Sequence, residues 1–439
     1  MSDGPAVNSE EKDMIDSSLS SSGGQKPLIH HERNRCLLGS VIITSLLLIW
    51  GVSLLPTIFY GNKLPAPHIN MSNQTMPVPH YPCSHPLILN KKTKMCEPPC
   101  PWVTLTSAED FAMEVVDNLS ISVSLLGFII ILATWIRIKQ LRRFPHIIPL
   151  YIQGLQSAIA FLLAVANGMG REKAFCSSKF YSEVQLNPTT FCTAQGVLIH
   201  YFSVALSLWF VVYSINLLQM ICSGNVVSLQ GNTYKVMHVV CSLTCWLLPW
   251  IPVGVVLGSK STSYQPFNMR LCYPIGSRGT GFFTTAFITA VSQGVGCTCL
   301  FFVVYKLFMQ RDISTVIGKQ AELRKKKMNK VVKRLVILMI GYAVIMALAY
   351  IPVCIMQQHS KLLEYYTNQY FSCLMFSPPG HCPKTYEKYA FSRVSVVSTL
   401  SSAFFALITV CFLAFNKQSR KLWSFWWFRI QSCCGGNSQ

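Results

Sequence analysis

The sequence predicts an all-α membrane protein whose helices cross the bilayer eight times. Three observations predict it. Hydrophobic residues fill 51% of the 439 positions and charged residues only 12%, roughly half the charged share of an ordinary soluble domain. Eight apolar stretches, 36–60, 115–136, 147–166, 197–221, 236–257, 282–308, 335–356 and 394–415, reach the roughly 20 residues a helix needs to cross a ~30 Å hydrocarbon layer. Lysine and arginine collect in alternate connections, the pattern of loops retained in the cytoplasm. Hydrocarbon offers the backbone no partner but itself, so the spans must be helices.

Residues 1–35 are rich in Ser, Asp, Glu and Gly and read as a disordered cytoplasmic N-terminus. Arg33 and Arg35 stand just before the first span and place that end inside. The apolar run 36–60 exceeds the roughly 7–15 residues of a signal-peptide core and has no clean small-residue cleavage site. It reads as an uncleaved signal anchor. Residues 61–114 then form an extracellular linker with Pro65, Pro67, Pro77, Pro79, Pro82 and Pro86. Asn70-Met71-Ser72 and Asn73-Gln74-Thr75 are glycosylation sequons in that loop. Asn118-Leu119-Ser120 has the same form but lies too near the membrane to serve. Residues 115–416 hold the remaining seven spans, and 417–439 form the cytoplasmic tail.

The net charge of +20 has a topological source. Arg137, Lys139, Arg142 and Arg143 follow the second span. Lys319, Arg324, Lys325, Lys326, Lys327, Lys330, Lys333 and Arg334 precede the seventh, and Lys417, Arg420, Lys421 and Arg429 follow the last. These segments fall on alternate connections and put both termini in the cytoplasm. No basic domain stands apart from the spans, so the expectation is no nucleic-acid partner.

The stretch 170–224 organises the rest. It opens on Gly170-Arg171-Glu172-Lys173-Ala174-Phe175-Cys176, reaches Cys192 and runs into the fourth span. A cysteine at the mouth of a span needs a partner from another loop. The predicted outer segments hold Cys83, Cys96, Cys100, Cys176, Cys192, Cys272, Cys373 and Cys382. An even set in an oxidising compartment predicts four disulfides, each worth about 2–4 kcal/mol. Spacing alone leaves their pairing open. Cys241, Cys245, Cys297 and Cys299 lie in spans and read as small buried residues.

Signatures of hydrolysis, phosphate binding and dinucleotide binding are absent. The expectation is a protein that is not an enzyme and needs no cofactor or metal. Glu114 and Asp117 sit at the outer end of the second span, and later spans hold no deeper carboxylate. Ion-coupled transport usually needs such groups. The polar residues within spans are Gln153, Gln156, Asn167, His200, Asn216, His238 and Gln293. They either bond between helices, at about 0.6–2 kcal/mol each, or line a cavity. Gln156, His200, Tyr201, Asn216 and Gln293 are the cavity candidates, with His200 and Tyr201 near the outer end. The tail segment from Lys417 to Arg429 interleaves basic residues with Trp423, Trp426 and Trp427, which suits an amphipathic helix on the inner leaflet. Cys433 and Cys434 beside it are palmitoylation candidates.

Several of these segments, in this order, resemble the Frizzled/Smoothened (class F) family of seven-transmembrane receptors. Cys83, Cys96 and Cys100-Pro101 are similar to the family's linker. Gly170-Arg171-Glu172 with Cys176 is similar to its first outer loop, and Cys192 with Trp209-Phe210 to its third helix. Leu271-Cys272-Tyr273 is similar to its second outer loop, and Gly281-Phe282 to the start of its fifth helix. The resemblance spans roughly 83–430. It implies a seven-transmembrane receptor bundle, here preceded by one extra N-terminal transmembrane helix. It also implies the pairs Cys83–Cys96, Cys100–Cys176, Cys192–Cys272 and Cys373–Cys382. It further implies a switch in which Arg334 or Lys333 packs on Phe415, the place of the family's Trp, by a cation–π contact.

The departures narrow the reading. Residues 61–82 hold no cysteine, so the family's extracellular cysteine-rich domain, which captures lipidated Wnt ligands, is missing. The family's Lys-Thr-x-x-x-Trp motif appears as Gln418-Ser419-Arg420-Lys421-Leu422-Trp423, leaving Ser419 and Trp423 as effector-contact candidates. Rhodopsin-type receptors fit less well, because Gln219-Met220-Ile221-Cys222 replaces Asp-Arg-Tyr and the last span lacks Asn-Pro-x-x-Tyr. The expectation is a plasma-membrane receptor that passes an extracellular or membrane-borne signal to a heterotrimeric G protein or a Dishevelled-like effector through helix movement. A sterol or lipid carrier and a non-signalling scaffold are the alternatives, with membrane lipids, sterol among them, as partners.

Overall fold

The structure, a computed structural model, describes most residues between 83 and 313 and scattered positions between 366 and 407. The expected spans 36–60 and 335–356 lie outside the described residues, as does 394–415 apart from Phe404 and Leu407. The described chain is an all-α membrane fold with two small hairpins. Five of its helical segments are long and apolar enough to cross a membrane.

The first hairpin pairs β1 (Ile88–Asn90) with β2 (Met95–Glu97), antiparallel, with Leu89 opposite Cys96. Its turn closes locally: Asn90 Oδ1 accepts the Lys92 N–H at 2.9 Å, and the Lys94 N–H reaches the Asn90 carbonyl at 2.7 Å. Helix α1 (Ser107–Arg137) begins with Glu109 and Asp110 and ends with Arg137, charges that suit the two poles of a helix dipole. Helix α2 (Ile148–Met169) carries Pro149 in its first turn, where a missing N–H costs nothing. It stops at Gly170, whose φ of 80° is a conformation that side chains with a Cβ rarely adopt.

Two short helices, α3 (Arg171–Phe175) and α4 (Tyr181–Leu186), lead to α5 (Thr190–Cys222). Thr189 caps α5: its hydroxyl accepts the Cys192 N–H at 3.0 Å and donates to the Ala174 carbonyl at 2.6 Å, a cap worth about 1 kcal/mol. The span expected at 236–257 is two helices, α6 (Asn232–Leu247) and α7 (Trp250–Gly258), broken at Leu248-Pro249, where proline cannot supply a helical N–H. The second hairpin, β3 (Thr262–Phe267) and β4 (Leu271–Gly276), pairs Tyr264 with Pro274 and Pro266 with Cys272. A π-helical turn, Phe282–Phe287, then runs into α8 (Ile288–Ile313).

Helix α5 is the axis. It packs against α2, α8 and both strands of the second hairpin. Val204, Ala205, Leu208, Trp209, Val211 and Val212 are all fully buried, so residues around the whole helix are covered, the mark of a central helix. Two glycines allow the closest approaches. A Cβ on Gly296 of α8 would lie 2.1 Å from Cε1 of Phe210, and one on Gly196 would lie 2.6 Å from Cδ1 of Tyr264. At one end of the bundle a second core gathers Ala166, Ala174, Phe175, Cys192, Met269 and Cys272.

Candidate functional site

The residues with chemistry concentrate at the disulfide-bearing end of α5. Four disulfides join Cys83 to Cys96, Cys100 to Cys176, Cys192 to Cys272 and Cys373 to Cys382, the set that the family resemblance implies. The third ties the first turn of α5 to β4. Gln195, one residue short of a turn further on, reinforces it: its Oε1 accepts the Cys272 N–H at 3.1 Å and its Nε2 donates to the Leu162 carbonyl of α2 at 3.3 Å. The second hairpin is thereby fastened to α5 by covalent and polar bonds together.

Fastened this way, the hairpin delivers Tyr264 into the bundle. The side chain is 2% exposed and its ring fills the space that Gly196 leaves open. Its hydroxyl meets Nδ1 of His200 at 3.0 Å, while Nε2 of His200 meets the Thr284 carbonyl at 3.1 Å. A carbonyl only accepts, so Nε2 carries the hydrogen. A neutral ring then accepts at Nδ1 from the tyrosine O–H, and all three groups are satisfied. Burial pushes the Tyr264 phenol up from its ordinary range, which keeps it a donor.

A cluster of charges holds the hairpin's turn. Arg270, 7% exposed, donates from Nη2 to Asp110 Oδ1 at 2.7 Å and to the Asp110 carbonyl at 2.8 Å. Its Nη1 pairs with Asp117. Arg171 takes the other oxygen of Asp110 at 2.6 Å. Asp110 thus bridges two arginines, one from α3 and one from the turn of the second hairpin, and ties both to α1. The sequence marked Asp117 and Arg171 but neither Asp110, which pairs with Arg171, nor Arg270, which pairs with both aspartates. The available signal was a carboxylate at the end of a span, which requires a counter-charge.

All five cavity candidates are buried. His200 is engaged as described. The Tyr201 hydroxyl donates to the Trp246 carbonyl at 2.8 Å and its ring lies 4.7 Å from that of Trp250, a tie between α5 and the α6–α7 segment. Asn216 donates to the Val212 carbonyl of its own helix at 2.7 Å. It stands 16 residues from His200, about 24 Å along the axis. Gln156 and Gln293 are buried, at 8% and 7% exposure. A separate aromatic group joins α2, α5 and α6: Tyr151 lies 4.7 Å from Trp209, and Trp209 lies 6.0 Å from Trp246. The Tyr151 hydroxyl faces Nε2 of His238 at 3.3 Å. Cys241 and Cys245 are buried thiols, and Cys297 and Cys299 are half-buried.

Asn118 lies on α1 with its side-chain oxygen accepting from Asn167 of α2 at 3.3 Å. Lys333, Arg334, Phe415, Ser419, Trp423, Asn70, Asn73, Cys433 and Cys434 lie outside the described residues.

The model of the Frizzled/Smoothened family membrane region matches residues 105–434, about three quarters of the chain. No curated protein matches the sequence.

Proposed function

Because this chain belongs to the Frizzled/Smoothened family and is an integral membrane protein of the receptor-type seven-transmembrane kind, we propose that it is a signalling receptor and not an enzyme. The match over 105–434 is the observation that carries this reading. The receptor sits in the plasma membrane with both termini in the cytoplasm and the disulfide-bearing end outside. It exists in two bundle states, and a ligand acts by binding one better than the other. Outward movement of 335–356 opens the inner face, and Arg334 or Lys333 against Phe415 holds the resting state. Ser419 and Trp423, with the basic loop before the seventh span, meet a heterotrimeric G protein or a Dishevelled-like effector. Asn70 and Asn73 carry glycans, and Cys433 and Cys434 carry acyl chains that hold the tail to the inner leaflet.

The cap over His200 favours a membrane-borne ligand over a water-borne one. Tyr264 occupies the space beside Gly196 and uses the hydrogen-bonding capacity of the imidazole. A polar ligand from outside would have to displace both, whereas an apolar one entering from the bilayer would not.

The test is basal activity. Arg334→Ala, expressed with candidate G proteins, should raise their ligand-free dissociation severalfold. An unchanged basal level in a variant expressed like the wild type overturns the switch and favours the scaffold. Crosslinking by a photoactivatable sterol without any signalling response favours the carrier.

A further inference from the structure

The turn joining β1 to β2 reads Lys91-Lys92-Thr93-Lys94, and its three lysines are exposed. Among the described residues no ion pair involves any of them. We propose that this turn is a docking site for a sulfated polysaccharide chain, held by three ammonium groups on one rigid tip. The proposal rests on the reading above that the disulfide-bearing end faces outside.

The first support is rigidity. An isolated two-stranded hairpin is marginal in water, but this one is bonded by Cys83–Cys96. It also seats Leu87 and Cys96 in a core with Tyr370, Leu374 and Cys382, a segment with its own bond, Cys373–Cys382. The tip is closed by the two hydrogen bonds to Asn90. Lysines fixed on such a base surrender little backbone freedom when they bind, which is the benefit of preorganisation.

The second support is the residue chosen at a costly position. Lys94 has φ of 57°, a region where Gly or Asn is the usual occupant. A turn selected for shape alone would carry one of those. Lysine there adds a third like charge within four residues, which repels its neighbours until an anion arrives.

The third support is the surroundings. Lys179 is exposed on the strand-like segment bridged to Pro99, and its carbonyl accepts the Cys100 N–H at 2.9 Å. It extends the basic surface from the hairpin toward α4. Two acids stand on this side: Glu97 of β2, which accepts from the Asn90 amide at 3.0 Å, and Glu183, whose carboxyl the Ser178 hydroxyl, donating at 2.6 Å, and the charge of Lys92 hold below the usual range. Glu183 offsets Lys92 in part and leaves the field at Lys91 and Lys94. Lysine clusters of this kind recognise polyanions. In the oxidising compartment that disulfides require, a sulfated glycan is the polyanion of choice, since ammonium groups meet sulfates as point charges without the planar match that favours arginine.

The experiment uses the purified full chain in zwitterionic nanodiscs and a heparin oligosaccharide as probe, at ~0.15 M salt. The variant Lys91→Gln/Lys92→Gln/Lys94→Gln should bind about tenfold more weakly than wild type, as expected for three exposed ion contacts. The triple arginine variant should keep the affinity, and desulfated heparin should lose it. Because every other basic segment is shared, a wild-type-to-glutamine ratio within about twofold assigns the attraction elsewhere and overturns the proposal. Labelling of sealed cells with a membrane-impermeant amine reagent tests the topology separately. Lysines 91, 92 and 94 protected until the cells are permeabilised would overturn the outside reading even if the nanodisc ratio stands. Reactive lysines with no ratio would overturn the docking site alone.

Discussion

Helices α5 and α1 are near equals in length, 33 and 31 residues, and both are apolar enough to cross a bilayer. They end in opposite environments. In its most apolar window α5 is 67% buried within the protein and α1 only 33%. Apolar content therefore does not sort inside from outside here, because lipid tails are as apolar as leucine and provide no hydrophobic drive between helices. Small and polar groups distinguish α5. Gly196 admits a tyrosine ring, and Ser207, Ser214 and Asn216 are buried with their side chains bonded to carbonyls one turn back. Cys192 and Gln195 hold the second hairpin. Helix α1 turns Leu119, Leu126, Ile129 and Ile136 outward. Besides the packing of Ile130 and Ile131 on Leu150, it is tied to the bundle at polar points: the Ser124 carbonyl, which accepts from Gln153 at 3.2 Å and Ser157 at 2.9 Å, and the two aspartates that hold Arg270.

If polar and close-packed points carry the fold, the largest loss should come from Arg270. Arg270→Ala strands Asp110 and Asp117 without one shared partner and releases the hairpin turn from α1. Removing one member of a buried ion pair costs about 3–5 kcal/mol. The thermal unfolding midpoint of the purified chain in detergent measures this. An unchanged midpoint would show that α1 is held by its apolar surface after all.

The next effect separates two glycines on α8. Gly296→Ala places a methyl against Phe210, itself 5% exposed with nowhere to go, and should cost on the order of 1–3 kcal/mol by overpacking. Gly294→Ala meets nothing within 4 Å and should gain up to about 1 kcal/mol from helix propensity. Two substitutions of identical chemistry, two residues apart, are thus expected to move the midpoint in opposite directions. Movement in the same direction would remove the close α5–α8 contact from the argument.

Tyr264→Phe is subtler. It keeps the ring beside Gly196 and removes only the donor to His200, leaving Nδ1 buried and unsatisfied at a cost of about 1–3 kcal/mol. A loss well below that range would mean that the imidazole finds another partner, and the cap would then rest on the disulfide alone.

What the sequence made legible follows the same division. A count of apolar residues located the five described spans, because crossing a bilayer demands length and little else. It misjudged ends and breaks. The span expected at 115–136 is a helix from Ser107 to Arg137. Its early turns carry Glu109, Asp110 and Glu114, which no apolar count includes. The span expected at 236–257 breaks at Pro249, a signal present in the sequence and outweighed by the apolar residues around it. The second hairpin was not legible, since Pro266 and Pro274 interrupt the alternation that marks strands, and the first has strands of only three residues, too short to show an alternation. At the site, the number and compartment of the cysteines were readable from composition, but their partners came only with the family resemblance. Arg270 and Tyr264 stayed hidden because each acquires its meaning from a residue more than 60 positions away.

The smallest expected effect is the strictest test of the contrast between the two helices. Ile129 of α1 is 59% exposed in a segment that lies in lipid. In a soluble protein, a buried isoleucine cut to alanine would lose about 2–5 kcal/mol. Here the side chain meets lipid before and after the helices associate, so the transfer contribution cancels and little packing is lost. Ile129→Ala should change the unfolding midpoint by an amount equivalent to about 0.5 kcal/mol or less. Val204→Ala on α5, at a position with no exposure, removes two methyls from a closed interior and should cost several times more. Equal losses at the two positions would mean that the outward face of α1 is covered by protein, and the division between axis and periphery would have to be redrawn.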